Sequence, residues 1–184
     1  DQVHARGEIR RQLARALIAQ RKHDEARAEL DGLLAEEPGD LEGSLALAEL
    51  ALARGEHARA VEVLSTLTDH HGQLARTYQI LGRAELGVGR LEAAEASFRR
   101  LWELAPHEPD ARYWLAVALR RRGQVDQARR LLEGNLRRFP THVESVESVA
   151  RLREQSAGLA DAKAFFLDHG QKHADSPEIA SAEG

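Results

Sequence analysis

Cysteine and methionine are both missing from this chain of 184 residues, and aromatic residues make up only 4% of it. Without cysteine there is no disulfide and no thiolate metal site, and the redox compartment cannot be read from the sequence. So few aromatics beside 42% hydrophobic residues argue against a β-sandwich and for helices packed through Ala and Leu. Lysine is scarce: only 3 of the 26 basic residues are Lys, an arginine bias that reads as a GC-rich bacterial genome. No apolar run approaches the ~20 residues needed to cross a bilayer as a helix, so no direct membrane insertion is expected. No signal-peptide pattern stands at the start. The chain opens on Asp1 rather than Met, which reads as a processed or excised piece. Bacterial cytoplasm and periplasm are both compatible with these features.

Catalytic signatures are also missing. There is no GxSxG, no phosphate loop and no HExxH, and Gly82, Gly87 and Gly89 do not make a dinucleotide fingerprint. The carboxylates lie on helix faces without an acid/base pair standing out. The expectation is therefore a protein that is not an enzyme and needs no cofactor.

What is present is a period of 34 residues that holds without insertion or deletion. Leu13, Leu47, Leu81 and Leu115 recur one period apart, each followed by a small residue: Ala14, Ala48, Gly82 and Ala116. The next column reads Arg21, Gly55, Gly89, Gly123, followed by Ala26, Ala60, Ala94, Ala128 and then Leu30, Leu64, Phe98, Leu132. Units close at Pro38, Gly72, Pro106 and Pro140. A weaker fifth copy carries Val149, Ala150, Ala162 and Phe166. Small residues let two helices approach, and Leu or Phe fills the seam between them. Gly ends the first helix and Pro cannot continue the second. Thr141 to Glu144 has the spacing of a capping box at the start of the fifth pair. The predicted array spans residues 7–176, with units 7–40, 41–74, 75–108 and 109–142, a degenerate unit 143–176 and a polar tail 177–184.

The pattern resembles the tetratricopeptide repeat family. Its Leu-Gly, Ala-x-x-x-Phe and Pro signature is matched best at Leu81-Gly82, Ala94 to Phe98, and Pro106. The resemblance implies an all-α, right-handed α-solenoid of about five antiparallel helix hairpins that scaffolds other proteins. It departs at the early aromatic column, which survives only as Tyr78, and at Arg21 in place of the turn glycine. A second aromatic column holds Leu17, Ala51, Glu85, Leu119 and Arg153.

The resemblance also implies that the first helix of each pair lines a concave groove. With Leu13/Ala14 and their equivalents in the packing seam, helical geometry turns the opposite stripe to that groove. The candidate partner-binding residues are Arg11, Arg15, Leu45, Glu49, Arg76, Gln79, Arg83, Tyr113, Val117, Arg120 and Arg121. Glu8, Ile18, Glu42, Leu52, Leu86 and Asp110 share the stripe. Arg offers bidentate bonds to carboxylates and Tyr a rigid contact area, so the expected partner is an acidic protein segment or peptide. The Lys/Asn clamp that some family members close on a terminal carboxylate is not reproduced, since Arg15, Ala46, Glu49, Ile80 and Arg83 hold those columns. The expected setting is a bacterial multiprotein assembly of the envelope, secretion or polysaccharide-export type.

Charge is uneven along the array: unit 109–142 carries 8 basic against 3 acidic residues, while unit 41–74 carries 2 against 5. The arginines at 120–122, 129–130 and 137–138 read as solvated helix faces rather than a nucleic-acid site, because few aromatics accompany them. His23 and His57 share a column with Leu91, Val125 and Leu159 and are expected to pack where second helices begin. His70 and His71 are placed at a helix end. His169 and His173 have metal-ligand spacing without a third ligand, so no metal is expected. Phe165 and Phe166 stand side by side in the fifth pair, and adjacent helical residues point ~100° apart. The tail from His173 to Gly184 looks too short to cover them. Either a further repeat covers this flank, or Phe165 and Phe166 form an end interface for self-association or another chain.

Overall fold

The computed structural model describes residues 2–71 and 74–173, with side chains for 6–65, 67 and 74–173. The predicted tail 177–184, Gly72 and the side chains of His70 and His71 lie outside these residues. Among the described residues there are ten α-helices and no strand. They are α1 (Gln2–Ala19), α2 (His23–Glu36), α3 (Leu41–Ala53), α4 (His57–His71) and α5 (Ala75–Gly87). Then follow α6 (Leu91–Leu104), α7 (Pro109–Arg121), α8 (Val125–Arg138), α9 (Val143–Ala157) and α10 (Leu159–His173). Helices α1–α6 form one compact unit and α7–α10 a second.

In the first unit each helix packs on the next, and in addition α1 meets α3 and α3 meets α5. The columns explain the packing. Ala26 and Ala60 are fully buried, and Leu30 and Leu64 fill the seam to the following hairpin. Leu30 joins Ala14, Leu47 and Leu50 in one cluster, and Leu64 joins Ala48, Ile80, Leu81 and Ala84 in another. In the third hairpin Gly82 stands where the others have Ala, because a Cβ there would lie 2.6 Å from the buried ring of Phe98.

Turn residues after the first helices take left-handed backbone: Gly55, Gly89 and Gly123 have φ of 74°, 79° and 81°. Arg21 is forced into the same conformation, at φ 60°, with a Cβ that disfavours it. In the fifth hairpin α9 runs longer and ends on Gly158 at φ 90°. The connection shortens to that one residue, so α10 still begins in register.

The second unit repeats the scheme, α7 against α8, α8 against α9 and α9 against α10. Its interior holds a polar pair. Asn135, fully buried, donates from Nδ2 to Pro109 O and to Ser145 Oγ, both at 3.0 Å. The cap of α9 falls one residue later than the Thr141–Glu144 spacing suggests: His142 is the N-cap, its ring accepting from Ser145 N.

Two columns depart from expectation at their ends. Leu13 is 43% exposed, whereas Leu47 and Val149 in the same column are sealed by the preceding hairpin of their own unit. Val125 and Leu159 are exposed at the start of their helices, while His23 and His57 are half-buried as anticipated. The His57 ring packs directly over Gly87.

Candidate protein-binding surface

The first helices of the first unit, α1, α3 and α5, lie side by side, and their shared face carries a groove of about 350 Å³. Arg15, Ile18, Glu42, Glu49 and Arg76 line it, together with Ala46, Leu50, Ala53 and His23. Arg76 grips Glu49 with bonds of 2.9 Å to each carboxylate oxygen. Its other nitrogen lies 3.6 Å from Glu42, which also faces Arg15 at 3.6 Å. The groove is thus an apolar floor crossed by a ladder of alternating charge. All four ladder side chains are about half exposed, so each rung contributes little to stability and stays open to exchange with a ligand's charge.

Arg11, at the edge of this face, is tied to Asp40 and to Glu8 and is largely covered. Gln79 is half-buried and Arg83 exposed on α5. Leu45 does not face the groove. It is 2% exposed, inside the cluster with Ala48, Leu64 and Ile80. Helix α3 is packed by α1, α2, α4 and α5, so its outward stripe narrows to Glu42, Ala46, Glu49 and Ala53 and Leu45 falls beside it on a covered face. Leu86 is likewise buried.

In the second unit, Tyr113, Val117 and Arg120 are half-buried along α7, and Arg121 is exposed. The Tyr113 ring meets Trp114 edge-on at 5.1 Å and His142 at 5.7 Å. Burial pushes its phenol above the ordinary range, a hydrogen bond with Ser148 opposing. Tyr113 is therefore a fixed, neutral platform.

Beside it lies an arrangement the sequence reading missed. His142 Nδ1 is 2.8 Å from Ser145 Oγ, and His142 Nε2 is 3.0 Å from Asp110 Oδ1. The connectivity is that of a nucleophile, base and orienting acid. The serine, however, is fully buried and its oxygen also accepts from Asn135. With no approach to Oγ, the trio caps α9 and joins it to α7. Asp110 and Ser145 sit 35 residues apart with His142 as cap, a spacing without a sequence signature.

Glu85 is another buried polar group that pattern reading left unassigned. Its carboxylate accepts from Ser97 Oγ at 2.7 Å, and burial raises its pKa above the usual carboxylate value. At the far end, Phe165 is half-buried beneath the Arg153 guanidinium, 5.0 Å from the ring centre, while Phe166 is the more open of the two. His169 is held by Pro140 O at 2.7 Å. Among the described residues no three His, Asp or Glu side chains gather as metal ligands.

Comparison with known proteins agrees with this architecture. Over 168 residues the chain is 26% identical to "Cellulose synthase operon protein C" of Pseudomonas fluorescens (strain SBW25), covering 86% of this chain but only 13% of that protein. A crystal structure of the MamA protein superposes with a TM-score of 0.79 at 22% identity, covering 94% of this chain and 96% of that one. YrrB, described as a TPR protein with an unusual peptide-binding site, superposes at 0.70 with 14% identity over 95% of this chain and 90% of that one. The structural likenesses place the fold in the α-solenoid class. The tetratricopeptide repeat model matches residues 17–84 and 85–152, and the chain belongs to the tetratricopeptide repeat family.

Proposed function

We propose that this chain is a non-enzymatic scaffold that binds a protein segment on the faces of its first helices. One observation carries the reading: the groove of the first unit is lined by Arg15, Ile18, Glu42, Glu49 and Arg76, all members of the stripe that helical geometry assigns to a ligand. Its apolar floor of Ile18, Leu50 and Ala53 suits aliphatic side chains. The ladder above suits a segment whose acidic group takes Arg15 or Arg76 in exchange for Glu42. On the second unit, Tyr113, Val117, Arg120 and Arg121 offer a rigid ring beside two cations.

The partner belongs to a bacterial multiprotein assembly, and a relative named for a cellulose synthase operon supports polysaccharide export as the setting. Retention of proteins from source-cell lysate, read by mass spectrometry, tests the binding surface. A partner held by the unaltered chain and by Glu62→Lys on α4, but lost with Arg15→Glu/Arg76→Glu and weakened with Arg120→Glu, supports it. A partner set indifferent to the groove substitutions rejects it.

A further inference from the structure

The charged ladder across the groove of the first unit is neutral as a whole and unequally tied. Arg76 is fastened to Glu49 by three bonds, one from Nε at 3.1 Å and one from a terminal nitrogen to each carboxylate oxygen at 2.9 Å. Arg15 has, among the described residues, a single ion pair, 3.6 Å from Glu42, and Glu42 stands equally far from Arg76. Both of those separations are too long for a hydrogen bond. The Arg15–Glu42 rung is therefore the one an incoming segment opens, while Arg76 and Glu49 stay together as a fixed wall.

An acidic side chain alone does not suit that opening. Seated on Arg15, it would lie beside Glu42 and give a neutral ladder a surplus negative charge. Glu42 would keep only its long contact with Arg76. A basic side chain alone, seated on Glu42, would strand Arg15 in the same way. The wider field adds to the mismatch for an acid: period 7–40 carries 6 basic against 8 acidic residues, and period 41–74 carries 2 against 5. Such a field repels a wholly acidic segment before it arrives. A segment bringing one charge of each sign keeps the ladder neutral and gives both members of the opened rung a partner.

We propose, resting on the reading that this groove is the binding surface, that its occupant is a protein segment with an acidic and a basic side chain beside an aliphatic one. The acid pairs with Arg15, the base with Glu42, and the aliphatic group lies on the floor. The helices fix the order. Glu42 stands in the first turn of α3 and Ala53 at its last residue, with Ala46 and Glu49 between them on the same face. On α1, Ile18 lies one turn beyond Arg15. The aliphatic group thus sits on the side of the charge pair that faces the turns at Arg21 and Gly55.

A phage-displayed library of random peptides, panned on the full chain, tests this, with fluorescence anisotropy to measure the peptides it enriches. They are expected to carry an acid and a base near an aliphatic residue. Replacing either charged residue of the peptide by Gln should weaken binding roughly two- to fivefold, and Ile18→Lys in the chain should abolish it. The variant Arg15→Glu/Glu42→Arg/Glu49→Arg/Arg76→Glu reverses the ladder while keeping every rung paired. It should hold the same peptide about tenfold less tightly and recover with a peptide whose acid and base are exchanged. The Gln peptides need no altered protein, so they decide the matter even if the reversed chain loses helicity. Binding that requires Ile18 but ignores both the Gln peptides and the ladder reversal overturns this proposal and leaves the groove reading standing. Binding indifferent to Ile18→Lys rejects the groove reading and this proposal with it. A library that enriches nothing, or only peptides with acids and no base, also overturns the proposal.

Discussion

Gly82 is the position where the repeat's packing rule can be tested most sharply. Its Cβ, if present, would stand 2.6, 2.7 and 2.9 Å from three carbons of the Phe98 ring. Carbon contacts are most favourable at about 3.5–4.0 Å, and the ring, with no exposed surface, has nowhere to retreat. Gly82→Ala should therefore cost about 1–3 kcal/mol in overpacking. About 1 kcal/mol of that is offset because Ala is the better helix former. The net expectation is a loss of about 0–2 kcal/mol. Phe98→Leu alone removes buried volume beside the glycine and should cost about 1–2 kcal/mol.

The double variant turns the third hairpin into the Ala/Leu pattern that the first and second already use at Ala14/Leu30 and Ala48/Leu64. It should be about 1–2 kcal/mol more stable than the sum of the single changes. Urea unfolding followed by circular dichroism measures this, provided the slope of each transition is unchanged. Strictly additive costs, or a Gly82→Ala variant more stable than the parent, would show that Phe98 does not dictate the glycine.

Three further outcomes follow from single residues. Arg21→Gly should raise stability by about 0.5–1 kcal/mol, relieving a side chain held at φ 60°; no gain in the urea midpoint would mean the turn carries no strain. Glu85 has a folded pKa raised by burial, so between the unfolded value and that raised value the native state holds the extra proton and stability falls as pH rises. Glu85→Gln keeps an acceptor for Ser97 and should be the more stable form at pH 7, with the advantage vanishing as pH drops below the unfolded carboxylate value; midpoints compared from pH 4 to 7.5 decide it. Asn135→Leu restores the residue type of Leu33, Leu67 and Leu101 but strips Ser145 and Pro109 O of a donor. It should cost about 1–3 kcal/mol, largely recovered by adding Ser145→Ala, and an innocuous single change would contradict the buried network.

The helices were legible because each hairpin solves the same local problem. Ala at the close approach, Leu in the seam and Gly at the turn recur wherever that geometry recurs, and Arg21 shows the backbone imposing itself even where the residue is wrong. Positions whose environment depends on a neighbouring hairpin were not legible. Leu13 and Leu47 look identical along the chain, yet only one has a helix lying over it. Leu45 was assigned to the groove by a stripe drawn too wide for a helix surrounded by four others. The groove charges were visible as residue types, but the ladder that pairs Arg76 with Glu49 joins side chains 27 positions apart on different helices. His142 replaced Thr141 as cap because its ring reaches Ser145 and Asp110 together.

The central claim is that the faces of the first helices are the working surface. A photo-reactive amino acid at Ile18, on the groove floor, compared with one at Glu62 on α4, would be irradiated in the source cells. The account predicts a discrete crosslinked protein from position 18 that disappears when Arg15→Glu/Arg76→Glu is added, and no comparable product from position 62. A product from position 62 alone, or one from position 18 untouched by those substitutions, would contradict it.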